Sequence, residues 1–173
     1  MSQVRLFTAT SLDGFVADSD GDSAWLEPFR ESMFTESGFL QSIGAVIVGR
    51  RTFEMMQAFG EWPFEGKYAF VLTSEEPWDL PANCYFVTNG IAAAVQAARE
   101  RTSKDIWIVG GAVTMESALE AGFVDIVEIC IVPRLIGSGL SLLNSLSKPQ
   151  KLEFEGIQAF SDGLVKMRYE VVD

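Results

Sequence analysis

Residues 107–122 read WIVGGAVTMESALEAG, and this stretch decides the class of fold. An apolar strand runs into two glycines, a helical segment over 114–121 follows, and Gly122 provides a helix stop signal. Paired glycines let a backbone approach a ligand closely, and a helix N-terminus attracts an anion. The stretch therefore predicts a strand–turn–helix unit with a ligand-binding turn. Because the GxGxxG spacing is absent, an ordinary Gly-Gly turn before a helix is the alternative interpretation.

Short apolar segments on both sides of this unit predict the rest of an α/β sheet. Strands are predicted over 3–10, 44–49, 68–73, 105–109 and 124–132, with two more over 151–172 joined by a turn at Asp162-Gly163. Helices are predicted over 24–43, 51–59 and 90–102, the last of them capped by Thr88 or Asn89. Strands that alternate with helices indicate a mainly parallel sheet, to which the terminal hairpin adds an antiparallel edge.

The composition limits the function of the chain. Its 173 residues suit one domain, 1–173, and 24 acidic against 13 basic side chains give a net charge of −11 without any histidine. The lack of histidine excludes imidazole-based catalytic triads and ordinary zinc sites, and we predict no metal site. The acidic balance argues against nucleic acid and anionic membranes as partners. We expect Cys84 and Cys130 to be free thiols in a reducing cytoplasm.

Two further predicted strands end in residues that suit a phosphate. In VGRRTFE (48–54) a buried strand is followed by two arginines at the start of a helix, where positive side chains and free N–H groups converge. In VLTS (71–74) the strand ends in two hydroxyl residues. Since ligands of open α/β sheets bind at the carboxyl ends of strands, these ends together predict a phosphate-bearing ligand. The alternatives are surface arginines paired with acids and hydroxyls that cap a turn.

The substrate side is less well defined, and its candidates lie mainly in the long loops 13–23 and 133–149. Asp13 follows the first strand in an Asp-Gly turn, where it could do acid–base or positioning work or be an ordinary turn residue. Arg134 lies in a glycine-containing loop. It could bind an anionic group of the substrate, or it could be an ordinary exposed loop arginine. Glu27 and Glu31 could donate a proton only if one of them faces inward. Trp25 could pack against one face of a heteroaromatic ligand or belong to the core.

The order and spacing of these motifs resemble the dihydrofolate reductase superfamily. The resemblance is closest to the reductase domain of bifunctional riboflavin-biosynthesis deaminase/reductases and its stand-alone relatives. It rests on TATSLDGFVA (8–17), VGRRTFE (48–54), VLTS (71–74), IVGGAVTMESAL (108–119) and VPRLIGSGLSLL (132–143). It implies a dihydrofolate reductase-like α/β fold, with a central, mixed but mostly parallel sheet of about eight strands flanked by helices and a C-terminal antiparallel hairpin. It also implies a homodimer.

The resemblance further implies NADPH as the cofactor, with the two arginines favouring its 2′-phosphate. The cofactor-binding positions carried over are Ala9, Val16, Ala17, Gly49, Arg50, Arg51, Thr52, Leu72, Thr73, Ser74, Val109, Gly110, Gly111, Ala112 and Val113. Asp13 is the catalytic candidate, and the substrate-binding candidates are Trp25, Glu31, Arg134 and Gly137. One departure stands out. Folate reductases place a carboxylate on the first long helix, whereas the matching positions here, 29–33, have no acid at the aligned spot.

The sequence thus predicts an NADPH-dependent oxidoreductase that transfers a hydride to a small heterocyclic or sugar-derived substrate. Its reaction would resemble that of 5-amino-6-(5-phosphoribosylamino)uracil reductase or of dihydrofolate reductase. The alternative, motivated by the missing helix carboxylate, is a non-catalytic nucleotide-binding or assembly protein on the same fold. A flavodoxin-like redox domain is a third interpretation, but SLDG stands where its phosphate loop would follow the first strand.

Overall fold

The computed structural model describes residues 1–58, 60, 62–75 and 79–173. Its strands are β1 (Val4–Thr10), β2 (Phe15–Ala17), β3 (Ile43–Gly49), β4 (Tyr68–Leu72), β5 (Cys84–Val87), β6 (Asp105–Gly110), β7 (Ile126–Ile131), β8 (Leu140–Ser141), β9 (Lys151–Ala159) and β10 (Val165–Val172). Its α-helices are α1 (Phe39–Ser42), α2 (Arg50–Ala58), α3 (Gly90–Arg101) and α4 (Ala112–Glu120). A 3₁₀ segment covers Ala24–Phe29 and a π-helical segment covers Glu31–Glu36.

Eight strands form one sheet in the order β5-β4-β3-β6-β1-β7-β10-β9. Neighbours from β5 to β7 run parallel, and β10 pairs antiparallel with both β7 and β9. The dihydrofolate reductase-like fold predicted from the motifs is therefore confirmed, including its antiparallel C-terminal hairpin. Parallel strands need crossovers, and the helical segments between them supply these connections.

Apolar side chains leave the central strands on both faces, as expected for a sheet covered by helices on both sides. On the first face, Phe7 stacks on Phe39 of α1 with ring centroids 3.9 Å apart, and Trp107 meets Phe39 edge-on at 5.1 Å. On the second face, Leu6 and Ile108 pack beneath α3 and α4. The first face also carries α2 and the segments of 24–36, and it contains both buried cysteines.

Glu128 is a buried charge on the first face, only 1% exposed. It accepts hydrogen bonds from Arg5 Nε at 2.8 Å and Arg5 NH2 at 2.5 Å. The ammonium of Lys166 lies 3.2 Å from its other oxygen, and Arg168 NH1 lies 3.5 Å from it. Because these partners come from β1 and β10, the cluster ties both strands to β7. The carboxylate is compensated by three cations, as a charge in a sheet interior must be.

The prediction of one helix over 24–43 is wrong, because the chain there is not a single α-helix. The chain there makes a 3₁₀ segment, a π-helical segment and the single turn of α1. Pro28 lies inside the 3₁₀ segment and cannot donate to an α-helical ladder. Gly38 interrupts the chain again with a left-handed φ of 68°. Phe29 and Met33 are nevertheless buried, as their spacing predicts.

Other differences concern short elements and boundaries. The sequence did not predict β2, β5 or β8, which are two to four residues long. Asn89 precedes α3, but its side chain makes no capping hydrogen bond. The helix predicted over 114–121 begins at Ala112, and the one predicted over 51–59 begins at Arg50. Phe59, its predicted last residue, lies outside the described residues.

The cysteines are free, as predicted, and both of them are buried. Burial raises the pKa of Cys84 to about 11 and that of Cys130 to about 12. Both thiols are therefore uncharged at neutral pH and belong to the core.

Candidate active site

The carboxyl ends of β3, β4 and β6 lie together at one edge of the sheet. In the parallel register Gly49 pairs with Leu72, and Val48 pairs with Gly110. Val109 and Gly110 end β6, and the peptide bond between Gly110 and Gly111 is cis. The alternation of strands and helices predicted this convergence, because parallel strands that are linked by helices all end at the same edge.

Close approach requires glycine at position 49 and a positive φ of 126° favours it at position 110, whereas a Cβ at position 111 would make only an ordinary contact. A Cβ on Gly49 would lie 2.7 Å from Thr114 Oγ1, and one on Gly111 would lie 3.4 Å from Thr52 Oγ1. Thr52 belongs to the first turn of α2 and Thr114 to that of α4. The N-terminal ends of both helices therefore meet at the Gly110-Gly111 turn, and the missing side chains leave space for them to do so.

The N-terminus of α4 is open to a ligand. Gly111 precedes it, and within the described residues no side chain makes a capping hydrogen bond to it. The N–H groups of Thr114 and Met115 donate to the Gly111 carbonyl at 3.0 and 3.1 Å. Ala112 and Val113 form the outermost positions of the turn, and Val113 is 73% exposed. Exposed amides at the start of a helix attract an anion.

The two arginines at the start of α2 have different surroundings. Arg50 donates from Nε to Glu54 at 2.8 Å and from NH1 to Glu75 at 2.9 Å. The hydrogen bonds to Glu54 and then Glu75 raise the pKa of Arg50. Arg51 is exposed and forms no ion pair with any residue that the structure describes. Exposed pairs such as those of Arg50 are weak, so a phosphate can compete for it, while Arg51 has no such competitor among these residues.

The end of β4 carries a self-contained turn. Thr73 Oγ1 accepts the N–H of Glu75 at 3.1 Å and donates to the Glu75 carbonyl at 2.7 Å. Thr73 therefore caps this turn, which is the alternative to phosphate binding that the sequence left open for the hydroxyl residues. Ser74 is exposed beside it, close to the acid that holds Arg50.

Asp13 joins two loops that are far apart in sequence. Its oxygens accept the N–H groups of Ile136 at 3.3 Å and Gly137 at 2.8 Å. The hydrogen bond with Ser11 and then those from Gly137 and Ile136 lower the pKa of Asp13. The carboxyl group is thus ionised at neutral pH and acts as an acceptor. These contacts assign Asp13 a positioning role; whether it also acts in proton transfer stays a prediction.

Backbone contacts continue this junction along both loops. Leu12 donates to the Arg134 carbonyl at 2.8 Å, and β2 pairs with β8. A Cβ on Gly139 would lie 2.1 Å from the Ala17 carbonyl oxygen, so no other residue fits there. Val16 and Ala17 belong to the small sheet that β2 forms with β8, and β2 lies against β1, the strand that carries Ala9. Both segments appeared as loops in the sequence because their partner lies more than 120 residues away.

A cavity of about 1100 Å³ opens on the first face, between α2 and the segments of 24–36. Phe34, Phe64 and Trp107 give it an aromatic lining, and Trp107 Nε1 is held by the Phe7 carbonyl at 3.0 Å. The other lining residues are Asp20, Gly21, Asp22, Ser23, Ala24, Glu27, Arg30, Leu40, Met55, Met56 and Pro63. Of this set, sequence reasoning named only Glu27 as a candidate. The available signal was Trp107, three residues before Gly110 on the same strand.

Of the substrate-side candidates predicted from sequence, Glu27 lines this cavity, whereas Trp25, Glu31, Arg134 and Gly137 do not. Trp25 is half-buried, and its Nε1 donates to the Asp22 carbonyl at 3.2 Å. Glu31 is exposed. Arg134 lies with its guanidinium 5.9 Å from the Phe29 ring, and Gly137 lies in the loop held by Asp13. Position 32, in the stretch without an aligned acid, holds a buried serine that donates to Asp162 at 2.6 Å.

Neither a metal site nor a membrane span is found in the part of the chain that the structure describes. No three of its Cys, Asp and Glu side chains are grouped so that they could hold a metal ion. None of its helices has the length and apolar character needed to cross a membrane.

Comparison with known proteins identifies relatives of this fold. Residues 2–166 match the family model of the RibD C-terminal domain. The chain is 30% identical to the uncharacterized protein YwjB of Bacillus subtilis (strain 168) over 166 residues, which are 95% of each protein. A solved structure from Shewanella sp. PV-4, provisionally assigned to riboflavin biosynthesis, matches with a TM-score of 0.84 and 25% identity over 100% of both chains. Dihydrofolate reductase from Enterococcus faecalis, complexed with NADP(H) and RAB-propyl, shares the fold with a TM-score of 0.66 and 15% identity, covering 99% of this chain and 97% of its own.

Proposed function

Because the chain belongs to the RibD C-terminal domain family, as its motifs predict, we propose that it is an NADPH-dependent reductase. NADPH supplies the hydride when it is bound, and the substrate is a small heterocyclic or sugar-derived molecule. The single observation that carries this proposal is the cradle at the ends of β3 and β6. There two helix N-termini meet, and a side chain at position 49 or 110 would be strained.

The residues at this edge fit a dinucleotide. The exposed turn at Gly111 has no side chain to keep a pyrophosphate away from the backbone, and the open N-terminus of α4 would offer amide donors to it. Arg51, and Arg50 after release from Glu75, would hold the 2′-phosphate. Ser74, which follows β4 at the same edge of the sheet, would contact the adenosine ribose. Val16 and Ala17 would pack around the nicotinamide from the small β2–β8 sheet.

The cavity on the first face fits the substrate. Strand β6 carries Trp107 in its wall and Gly110 at the cofactor edge, so one rigid element positions both ligands. Asp13 keeps the loops of β2 and β8 together, which closes the nicotinamide side against water. Proton delivery to the substrate by Asp13, directly or through water, would need this carboxylate to exchange one of its amide partners.

Titration with NADPH tests the proposal, with energy transfer from the tryptophans as the signal. We expect saturable binding that is tighter for NADPH than for NADH, because only NADPH carries the 2′-phosphate. Arg51→Ala should weaken NADPH binding by roughly tenfold and leave NADH binding unchanged. Arg99→Ala, which removes an exposed arginine from the far end of α3, is the matched control.

Three outcomes would contradict the proposal, each at a different level. No saturable response at millimolar NADPH would remove the cofactor assignment. Binding of NADPH without its oxidation across pterins, pyrimidines and sugar phosphates would favour the non-catalytic nucleotide-binding alternative. Equal losses for Arg51→Ala and Arg99→Ala would show only a general effect of charge and remove the phosphate contact.

We also propose that two copies pair through the hairpin. Leu152, Phe154 and Ile157 of β9 are 41%, 61% and 64% exposed. The register places Phe154 beside Tyr169 and Ile157 beside Met167, so this face of the hairpin is a continuous apolar surface. It carries no charge in a chain of net charge −11, which lets a second copy approach without repulsion at the contact. Sedimentation should give a dimer that Ile157→Glu converts to a folded monomer; a native monomer would contradict this.

The free thiols fit the cytoplasmic location that the sequence predicts.

A further inference from the structure

The cavity on the first face has an aromatic wall that is fixed in place. Trp107 is 6% exposed and is held by its hydrogen bond to the Phe7 carbonyl. Phe64 meets Trp107 edge-on with ring centroids 5.5 Å apart, and Phe34 lies at 5.8 Å from the same ring. Met55 and Met56 of α2 add polarizable, adaptable side chains to the lining. Rigid rings beside flexible thioethers suit a flat aromatic ligand.

The ionisable groups of the lining are mostly acidic. Among the described lining residues, the acids Asp20, Asp22 and Glu27 accompany one base, Arg30, which gives them a net formal charge of −2. Arg30 is weakly paired, because its NH1 lies 3.7 Å from Glu27 and both side chains are more than half exposed. Its guanidinium also lies 5.7 Å from the Phe34 ring centroid.

In such a cavity a phosphate on the substrate would have to compete with Glu27 for Arg30, against the repulsion of the remaining acids. Arg134, the residue that the sequence offered for an anionic substrate group, does not belong to the lining. A dianion roughly 10 Å from a net charge of −2 is repelled enough to weaken binding about tenfold at low salt and about twofold at physiological salt. The negative electrostatic potential of these acids favours a neutral or cationic ring.

We propose that the substrate of this reductase is a flat heteroaromatic molecule without a phosphate, neutral or cationic at neutral pH. This inference rests on the proposed function, since it names the substrate class for the cavity next to the NADPH site. It departs from the phosphoribosyl substrate that the sequence resemblance suggested as one option. The acidic residues here select by repulsion of the wrong ligand, while the aromatic wall supplies the attraction.

Riboflavin and its 5′-phosphate, FMN, form a matched pair of probes. They share the same aromatic ring system and differ only by the phosphate. Stacking near Trp107 would quench flavin fluorescence, so both affinities can be measured directly in low and physiological salt. We expect riboflavin to bind about tenfold more tightly than FMN at low salt, with the difference falling to about twofold at 0.15 M salt.

Glu27→Gln distinguishes electrostatic repulsion of the phosphate from a general loss of binding. It removes one negative charge and frees Arg30, so FMN should bind severalfold more tightly while riboflavin stays unchanged. Glu36→Gln removes an equally exposed acid from the neighbouring π-helical segment outside the lining, and it should change neither affinity.

The outcomes separate this inference from the proposed function. Tighter binding of FMN, or no saturable binding of either flavin at millimolar concentration, would overturn the inference while NADPH binding could still stand. Loss of FMN binding in Arg134→Gln would show that the phosphate is held outside the cavity and would also overturn it. Failure to bind NADPH would remove the reductase proposal, but the preference between the two flavins would still be measured without the cofactor.

Discussion

Gly49→Ala should disturb the fold and the cofactor site together. The added methyl group would lie 2.7 Å from Thr114 Oγ1, 3.5 Å from the Gly110 carbonyl oxygen and 3.6 Å from the Gly111 nitrogen. Only the contact with Thr114 is too close, and it is relieved when Thr114 changes its rotamer or when the first turn of α4 moves away from β3. The same turn offers the amides that would bind the cofactor.

The magnitude follows from two opposing effects. Overpacking by one methyl group in a well-packed region costs about 1–3 kcal/mol. The loss of glycine's freedom in the unfolded chain offsets about 0.4–1 kcal/mol of this, because the φ of Gly49 does not lie in the left-handed region. We therefore expect a net destabilisation of about 1–2 kcal/mol, which lowers Tm by about 3–6 °C in a domain of this size. NADPH affinity should fall by roughly tenfold.

Urea unfolding and NADPH titration measure these two effects, and a double mutant isolates their cause. Thr114→Ala removes the hydroxyl group that the methyl group meets, so Gly49→Ala/Thr114→Ala should be more stable than the sum of the single changes predicts. A coupling free energy of about 1 kcal/mol is expected. Gly156→Ala is the control, because a Cβ there meets nothing within 4 Å. Additive effects, or a Gly49→Ala protein with normal stability and NADPH affinity, would refute the proposed packing of this edge.

Three further predictions concern groups outside the cofactor cradle. Glu128→Gln leaves Arg5 and Lys166 buried without their shared carboxylate and should lower the free energy of unfolding in urea by about 3–5 kcal/mol. Glu155→Gln, at the more exposed pair with Arg168, should lower it by less than about 1 kcal/mol. Similar losses of stability in the two variants would contradict this. Asp13→Ala should speed hydrogen exchange of the Ile136 and Gly137 amides. In the native protein this loop junction should be fully formed above the unfolded pKa of 3.8 and lost as the pH falls through the lower folded pKa, and a pH-independent exchange pattern would argue against it. Because burial raises the pKa of Cys130 to about 12, its thiol should resist thiol reagents in the native protein and react in urea; rapid native labelling would contradict its burial.

Local sequence patterns predicted most of the sheet and one side of the site. Continuous apolar runs such as 44–49 mark strands covered on both faces, and their alternation with helices places all their carboxyl ends at one edge. The glycines and arginines that follow those strands could therefore be assigned to a common site. The confirmed parts of the prediction are those in which the signal lies within a few residues.

The remaining features depend on partners that are distant in sequence. Strands β2 and β8 are too short to be recognised alone and form because they pair with each other across more than 120 residues. Asp13 looks like a turn residue until the amides of Ile136 and Gly137 are placed beside it. The cavity has no sequence signature, because its walls come from separate segments of the chain.

Taken alone, the sequence determined the class of fold, the edge of the sheet proposed to bind the cofactor and the residue types that suit a phosphate. The periodicity of apolar side chains and the chemistry of glycine and arginine are local properties, and they act wherever these residues occur. Only the tertiary structure decided that Arg50 is held by Glu54 and Glu75 while Arg51 has no ion pair in the described part of the chain. It also decided that acids and aromatic rings surround the substrate cavity, because charge balance at a site is set by which distant side chains packing brings together.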